Sequence, residues 1–286
     1  MGAVPQRPTK NEIGCRNEYG TLQKAIVCAP RFMRIEKTIN ETQKHYANEN
    51  INREKAMKQH ETFIQTLEDH HVDVIHLAPS STFNEQVFTR DIGFCIGKQI
   101  VVGAMKSDVR WGEEKVLRQY LEAHDIPYQQ LPAASIEGGD IMIDHDQIWV
   151  GISDRTPREA VRHLKHVFPE YNIQRLKLNQ NILHLDCAFN IISKHVALIY
   201  REAFDSKEVE RLASHYELVD ITDEEQFFLG ANVLSIDGER VISLPQNNRI
   251  NALLSRMGFD VIEVEFSEII KSGGSFRCCT LPICRN

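Results

Sequence analysis

The chain has 286 residues, of which 42% are hydrophobic and 26% are charged. This composition is typical of a globular protein and excludes a disordered, collagen-like or mucin-like chain. The excess of acidic side chains (40 against 33 basic) argues against nucleic acid as a partner, and no apolar stretch approaches the ~18 residues of a membrane helix, so we expect a cytoplasmic protein without a membrane partner.

The first predicted elements are a strand at residues 24–29, a helix at 48–70 and a strand at 72–77. They are expected to follow an irregular N-terminal segment, residues 1–17. The stretch 32–49, near the helix, is a candidate lid over a binding site.

The residues that follow introduce a unit that repeats along the chain. Residues 89–103 contain two apolar, β-rich stretches around a Gly-Lys turn, which is typical of a hairpin. Residues 111–124 have apolar side chains at helical spacing, with Glu113 and Glu114 directed away from the apolar face. A short strand at 128–131 completes the unit.

The same order of hairpin, helix and strand returns three more times. The hairpins are predicted at 139–152, 184–200 and 230–244, the helices at 157–168, 206–215 and 251–257, and the strands at 173–178, 218–221 and 261–266. The turns lie roughly 45 to 50 residues apart, which is a period found in propeller and solenoid repeats.

The two ends of the chain complete the count of units. The first unit lacks one hairpin arm, and residues 276–283 provide a spare strand that can pair with residues 24–29. This pairing predicts a closed ring of five units, which removes exposed sheet edges and makes residues 1–286 a single domain. An unrelated succession of α and β elements is the alternative.

Chemically reactive residues stand at equivalent places in successive units. The motifs are Thr89-Arg-Asp91 in the second unit, Glu137-Gly-Gly-Asp140 in the third, His184-Leu-Asp186 in the fourth, and Gly273-Gly274 before Cys278-Cys279 at the end. Equivalent hairpin starts of a closed ring converge on its axis, so these residues would meet in one pocket. A thiol, an imidazole and several carboxylates can there act as nucleophile, proton shuttle and cation clamp.

Each motif alone also has an ordinary structural explanation. A histidine beside an apolar strand is often a hydrogen-bonded structural residue, and glycine pairs fit turns or bulges. The spacing of Cys278, Cys279 and Cys284 matches no common zinc pattern, so we expect no metal. The remaining cysteines are interpreted as reduced core residues: Cys15, Cys28, Cys95 and Cys187.

Taken together, the ordered motifs resemble those of the guanidine-modifying enzymes of the pentein fold. This family includes arginine deiminases, dimethylarginine dimethylaminohydrolases and arginine:glycine amidinotransferases. The resemblance implies an α/β fold, a five-bladed pentein propeller of pseudo-repeated hairpin-helix-strand units around a central active-site pocket. It also implies a small guanidino substrate and no cofactor, and it leaves open whether the chain forms a homo-oligomer.

The resemblance assigns catalytic roles within these motifs. Cys278 is similar to the family's nucleophile, because a small hydroxyl residue follows two places later. His184 resembles the general acid and base, and Glu137 the acid that orients it. Asp91 and Asp186 are similar to the two carboxylates that bind the guanidinium.

Three further residues match the family by position. Arg110 and Arg155 each follow a hairpin and correspond to the arginines that bind the substrate carboxylate. Asp140 either reaches the substrate or braces its own turn.

The motifs favour different answers to the question of which guanidine compound is the substrate. Chain length and the paired cysteines resemble dimethylarginine dimethylaminohydrolase. Arg90 before Asp91, and the acid at Asp186, instead resemble arginine deiminase, since carboxylates on both sides suit an unmethylated guanidinium with N–H groups to offer. The alternatives are an amidinotransferase, whose segment Thr89-Arg-Asp-Ile also resembles, a binding module without catalysis, and a thiol redox protein that uses Cys278 and Cys279.

Overall fold

The computed structural model describes residues 13–131 and 135–286. Within these residues, the strands form five small sheets. In chain order they are β1 (Gly14–Cys15), β2 (Leu22–Cys28), β3 (Asp73–Leu77), β4 (Gly93–Ile96), β5 (Gln99–Val102), β6 (Tyr128–Gln130), β7 (Ile141–Asp144), β8 (Gln147–Ile152), β9 (Asn172–Lys177), β10 (Phe189–Ile191), β11 (Val196–Ile199), β12 (Glu217–Asp220), β13 (Leu234–Ser235), β14 (Arg240–Ser243), β15 (Asp260–Glu263) and β16 (Leu281–Arg285).

Most helices connect the second and third strands of a sheet. The α-helices are α1 (Glu41–Tyr46), α2 (Arg53–Asp69), α3 (Glu113–Ala123), α4 (Arg158–Val167), α5 (Ser206–Ala213), α6 (Asp223–Phe227) and α7 (Asn248–Arg256). Short 3-10 helices span Gly138–Asp140, Leu185–Cys187, Arg201–Ala203 and Ile269–Ser272. None of the helices in the described ranges has the length and apolar character needed to cross a membrane.

The five sheets share one strand order. In β4-β5-β6, β7-β8-β9, β10-β11-β12 and β13-β14-β15, the first two strands form an antiparallel hairpin and the third runs parallel to the second. The sheet β1-β16-β2-β3 obtains its hairpin arm from the C-terminus, because β16 pairs antiparallel with β2 and β2 pairs parallel with β3. The predicted repeat, and the predicted pairing of the C-terminal strand with the first unit, are confirmed.

The helix predicted at 48–70 is α2, which begins only at Arg53, and the short helix α1 before it was not predicted. Asn50, between α1 and α2, has a φ of 59°, and Asn52 caps α2 by accepting a hydrogen bond from the backbone N–H of Lys55. Asparagine tolerates the left-handed region and is a favoured N-cap, so these two residues delay the start of α2. The candidate lid, residues 32–49, contains α1.

Both ends of the chain differ in part from the prediction. The expectation of an irregular segment over 1–17 is wrong at β1, which pairs in parallel with β16, while residues 1–12 lie outside the described residues. The C-terminal strand, predicted at 276–283, begins only at Leu281. Residues 275–280 form turns instead, because N–H groups in this segment bond to carbonyls three or four residues earlier.

The helices pack apolar faces against their own sheets. In α3, Leu117 and Leu121 are fully buried, as the helical spacing predicts. Glu113 contradicts the prediction that it faces solvent, because it is fully buried at the start of α3. Burial of this carboxylate is possible because Arg110, in the preceding turn, pairs with it.

Candidate active site

Each sheet carries a polar side chain shortly before the first strand of its hairpin. These residues are Asp91 before β4, Glu137 before β7, His184 before β10, Asn232 before β13 and Cys278 before β16. All five are at most 3% exposed. Close contacts connect them in two groups, one around His184 and one around Cys278.

Glu137 holds the ring of His184. Glu137 Oε2 lies 2.7 Å from His184 Nε2, and Glu137 Oε1 accepts a hydrogen bond of 2.9 Å from the backbone N–H of Lys106. Burial alone would lower the pKa of His184, but the surrounding carboxylates, Asp91 above all, raise that pKa well above its usual value. The carboxylates therefore favour the protonated imidazole, which is the form that can donate a proton.

Asp91 and His184 approach each other closely without forming a hydrogen bond. Asp91 Oδ1 and His184 Nδ1 are 3.5 Å apart, and neither buried atom has a hydrogen-bond partner within the described part of the chain. Only glycine fits at position 139, because a Cβ on Gly139 would lie 2.8 Å from Asp91 Oδ1 and 2.9 Å from the His184 ring. Unsatisfied polar atoms of this kind mark a place for a ligand.

The thiol of Cys278 lies between an amide and a carboxylate. Asn232 Nδ2 donates to Cys278 Sγ at 3.1 Å, and Sγ donates to Asp186 Oδ2 at 3.5 Å. A hydrogen bond with Cys187, burial, and the negative charge of Asp186 raise the pKa of Cys278 well above its usual value. The resting site therefore holds a thiol, and a cation bound beside Asp186 would favour the thiolate.

A buried arginine stands behind Asp186. Arg277 Nε lies 3.6 Å from Asp186 Oδ2, and Arg277 Nη1 donates to Glu18 at 2.7 Å. Arg90 Nη2 donates to the same Glu18 oxygen at 2.9 Å. Burial raises the pKa of Asp186, although Arg277 opposes this shift. Asp186 thus faces the thiol on one side and a guanidinium on the other.

Arg110 is engaged by groups of the protein itself. Its Nη1 donates to Asp91, and its Nε and Nη2 donate to Glu113 Oε2 at 3.1 and 2.8 Å. Its Nη2 also donates to the Phe88 carbonyl at 3.2 Å. Four of its five N–H groups are engaged in these bonds, and the side chain is 3% exposed. In this conformation Arg110 holds Asp91 and Glu113, and its binding of a substrate carboxylate stays a prediction.

Arg155 borders a cavity at the edge of the site. Its Nη1 lies 3.7 Å from Glu137 Oε1, and its Nη2 donates to the carbonyl of Ile39 at 3.1 Å. The cavity has a volume of about 290 Å³ and is also lined by Lys44 and Asp154. Binding of a substrate carboxylate by Arg155 stays a prediction, and the position of this side chain at the cavity agrees with it.

Asp140 is bonded to two turns of the protein. Its Oδ2 accepts a hydrogen bond of 2.7 Å from the Ser153 hydroxyl, and its Oδ1 accepts one of 3.0 Å from the backbone N–H of Leu185. Burial raises the pKa of Asp140 to about 7. Since both oxygens are engaged internally, the contacts favour the bracing role over contact with substrate.

Three groups of the site also have the spacing of a metal centre. One ligand atom from each of Asp91, Glu137 and His184 lies within 4.8 Å of the others. Within residues 13–131 and 135–286, these three residues could hold a metal ion, which the sequence does not predict. A metal at His184 Nε2 would have to replace its contact with Glu137.

Several residues that shape the site were not found from the sequence. They are Glu18, Glu113, Asn232 and Arg277. The position of Asn232 could have been recognised, because it precedes the hairpin of the fifth unit, where the other units carry their reactive residue. Cys187, interpreted as a core residue, is buried but also donates to Asp186 Oδ1 at 3.7 Å.

Known proteins resemble the chain over most of its length. A family model described as N,N dimethylarginine dimethylhydrolase, eukaryotic, matches residues 29–285. The chain is 48% identical over 271 residues to the uncharacterized protein YkgA of Bacillus subtilis, covering 95% of both chains. It is 26% identical over 230 residues to N(G),N(G)-dimethylarginine dimethylaminohydrolase of Pseudomonas aeruginosa, covering 79% of this chain and 88% of that one.

Solved structures share the fold. The N-terminal domain of ArgZ bound to substrate, an arginine dihydrolase from the ornithine-ammonia cycle in cyanobacteria, has a TM-score of 0.84 at 21% identity, covering 92% of this chain and 98% of that chain. The family expected from the motifs is confirmed by these matches. The chain belongs to the N,N dimethylarginine dimethylhydrolase family, and with it to the guanidine-modifying enzymes of the pentein superfamily.

Proposed function

We propose that the protein hydrolyses a C–N bond of the guanidinium group of free arginine, giving citrulline and ammonium. In this proposal, the five sheets stand as the blades of a propeller, with the site at their common axis. The observation that carries it is a pair of buried atoms without a hydrogen-bond partner among the described residues, Asp91 Oδ1 and His184 Nδ1, beside a thiol flanked by Asp186.

The guanidinium binds between two carboxylates. Asp91 Oδ1 accepts no hydrogen bond from the described residues, and Asp186 Oδ2 is 3.5 Å from the thiol, so each can accept N–H groups of a planar cation. A cation held this way lies with its carbon over Cys278 Sγ. Its positive charge also opposes the effect of Asp186 on the pKa of Cys278, so that substrate binding promotes the thiolate.

The first chemical step forms a covalent intermediate. Cys278 releases its proton to solvent as the cation binds, and the thiolate forms a C–S bond with the guanidinium carbon. Protonated His184 transfers its proton to one nitrogen of the adduct, the C–N bond breaks, and ammonia leaves. The products of this step are a thiouronium cation on sulfur and a neutral His184, which Glu137 keeps in place at 2.7 Å.

The second step consumes water. Neutral His184 takes a proton from a water molecule while its oxygen bonds to the thiouronium carbon. The C–S bond then breaks, the hydroxyl proton passes to the departing sulfur, and the ureido product leaves. Cys278 is again a thiol, His184 is again protonated, and the ammonia gains the proton released earlier, so the cycle closes without a cofactor.

The far end of the substrate is assigned to the cavity beside Arg155. This cavity is lined by cations and anions together, among them Arg155, Lys44, Glu41 and Asp154. Mixed charge suits a zwitterion, whose carboxylate pairs with a guanidinium and whose ammonium pairs with a carboxylate. An amino acid such as arginine fits this lining better than a guanidine without a carboxylate.

An unmethylated guanidinium suits the two-carboxylate clamp best. A dimethylated nitrogen has no N–H group, so it would leave an oxygen of Asp91 or Asp186 buried without a partner. Hydrolysis of N,N-dimethylarginine is the second candidate, because the matching family model and the Pseudomonas aeruginosa relative are named for that reaction.

A substrate panel tests the proposal. The protein is incubated separately with arginine, monomethylarginine, dimethylarginine and agmatine, and the ureido product and the released amine are identified. We expect citrulline and ammonia from arginine, with Cys278→Ala inactive but folded. Dimethylamine from dimethylarginine with no turnover of arginine would overturn the substrate assignment. Product formed only when an acceptor amine is added would show a transferase, and wild-type turnover by Cys278→Ala would refute the site.

A further inference from the structure

The side chain of Asn232 connects the nucleophile to its surroundings. Its Nδ2 donates to Cys278 Sγ at 3.1 Å and to the carbonyl of Asp186 at 3.1 Å. Its Oδ1 accepts from the backbone N–H of Ser275 at 3.2 Å and from that of Cys278 at 3.1 Å. The side chain is fully buried, so none of these contacts is shared with solvent.

These contacts fix the orientation of the amide. Two N–H donors face Oδ1, so a flipped amide would point its own N–H groups at them and lose both bonds. The nitrogen must therefore face the sulfur. The backbone of Asn232 adds a further restraint, because its carbonyl accepts from the N–H of Arg277 at 3.3 Å.

We propose that Asn232 is a catalytic residue, whose amide N–H stabilises the Cys278 thiolate and holds it against the guanidinium carbon. The inference rests on the proposed function in that it takes Cys278 as the nucleophile. An uncharged donor is useful here because Asp186, on the other side of the sulfur, disfavours negative charge on it. Asn232 lowers the free energy of the thiolate without competing with the cationic substrate for Asp186.

The same contact also serves the collapse of the second intermediate. Sulfur regains negative charge as the C–S bond breaks, and a donor already 3.1 Å away stabilises that charge without reorganisation. Asn232 therefore acts on both steps that change the charge of sulfur, while the distant end of the substrate is untouched. Its loss should lower kcat much more than it raises KM.

The test measures the thiol directly. Iodoacetamide alkylation of Cys278 is followed by peptide mass spectrometry over a range of pH, in wild-type protein and in Asn232→Ala and Asn232→Asp. Alkylation of the partly exposed Cys284 in the same samples shows how reactive the reagent is at each pH. We expect the midpoint of the Cys278 profile to rise by about one pH unit or more, with alkylation at pH 7 at least about tenfold slower in both variants.

Asn190→Ala is the matched control. Asn190 is also a buried asparagine, and its Nδ2 donates to the carbonyls of Ala231 and Val233, on either side of Asn232, at 2.8 and 2.7 Å. Its loss weakens the same segment without removing a contact to sulfur, so we expect a lower melting temperature and an unchanged alkylation profile.

The outcomes separate this inference from the proposed function. A Cys278 midpoint in folded Asn232→Asp that matches the wild type would overturn the inference, as would an equal shift in Asn190→Ala. Asn232→Asp keeps the acceptor for both backbone N–H groups, but its charge also disfavours the thiolate. An unshifted midpoint in Asn232→Asp therefore overturns the inference even if Asn232→Ala does not fold, while the size of the amide's effect is taken from Asn232→Ala. Alkylation needs no substrate, so a protein that hydrolyses no arginine can still show the shift, and one that hydrolyses arginine can lack it.

Discussion

Two carboxylates of the site are each backed by a buried arginine and then by a buried glutamate. The Asp91 triad is Asp91, Arg110 and Glu113, and the Asp186 triad is Asp186, Arg277 and Glu18. Arg110 donates to both acids of its triad. Arg277 donates to Glu18 at 2.7 Å but stays 3.6 Å from Asp186. One arginine is tied to the site carboxylate and the other mainly to the glutamate behind it.

The two glutamates consequently differ in charge. Burial raises the pKa of Glu113 to about 7, against the opposing effect of Arg110. Burial would also raise the pKa of Glu18, but Arg277 and Arg90 together lower it to about 2. Glu18 has Arg90 and Arg285 near it besides Arg277, whereas Glu113 has Arg110 and the carboxylates Asp91 and Glu137, and this difference in neighbouring charge separates the two pKa values. Arg277 and Arg90 also place positive charge near Asp186.

Removal of Arg110 or of Arg277 should produce the largest effects, and it tests whether the two triads differ. Arg110→Met leaves Glu113 buried without a cation and removes the arginine from Asp91, and we expect the free energy of unfolding to fall by about 3 to 5 kcal/mol. Arg277→Met leaves Glu18 paired with Arg90 at 2.9 Å, so we expect a smaller loss of about 1 to 3 kcal/mol. Urea unfolding followed by circular dichroism measures both.

Arg201→Met supplies the reference for these two variants. Arg201 pairs with Asp220 at 2.5 Å on the surface, where both side chains are about half exposed. Its loss should change the free energy of unfolding by less than about 1 kcal/mol. Equal losses in the two buried variants would show that the second arginine does not distinguish the triads.

The glutamates predict opposite pH dependences of stability. Glu113 has a folded-state pKa of about 7, above its ordinary 4.5, so the stability it contributes is complete below pH 4.5 and is lost as the pH rises through 7. Glu18 has a folded-state pKa of about 2, so its contribution is present above pH 4.5 and is lost as the pH falls toward 2.

Glutamine variants separate the two contributions. The free energy of unfolding of the wild type should fall between about pH 5 and pH 8. In Glu113→Gln this fall should be smaller by about 2 to 3 kcal/mol. Glu18→Gln should reduce the loss of stability in acid and lower the stability at pH 7. Urea midpoints at a series of pH values measure both, and Glu114→Gln, in the same turn of α3, is the control. An unchanged profile for Glu113→Gln would contradict the assignment.

Most of the fold is predictable from local patterns. Alternating apolar residues and turn dipeptides predict the hairpins, and helical spacing predicts the five longer helices, because these signals lie within one element. The short helices α1 and α6 are not predicted. Bounds also fail where local residues interrupt the pattern: α2 begins only at Arg53, after Asn50 with its positive φ, and the turns around Cys278 delay the last strand until Leu281.

The site is predictable only where its residues occur in motifs. The ordered motifs indicate Asp91, Glu137, His184 and Cys278, but not the groups behind them. Arg277 and Glu18 are 259 positions apart and meet only in the fold. Glu113 has a local sequence context typical of an exposed helix residue, and nothing before the structure indicates that Arg110 turns toward it.

The smallest effect is expected at Cys279, whose thiol is affected by the charges of the Asp91 triad. Sγ of Cys278 lies 3.5 Å from Asp186, whereas burial first, and then the charge of Asp91, raise the pKa of Cys279. Cys279 is fully buried, and the Asn232 amide donates to Cys278 instead. Cys279→Ser should therefore keep turnover within about threefold, while Cys278→Ser loses it, since a hydroxyl is a far weaker nucleophile at neutral pH. Steady-state assays of folded variants measure both, and equal losses would instead indicate a dithiol mechanism that uses the two neighbours together.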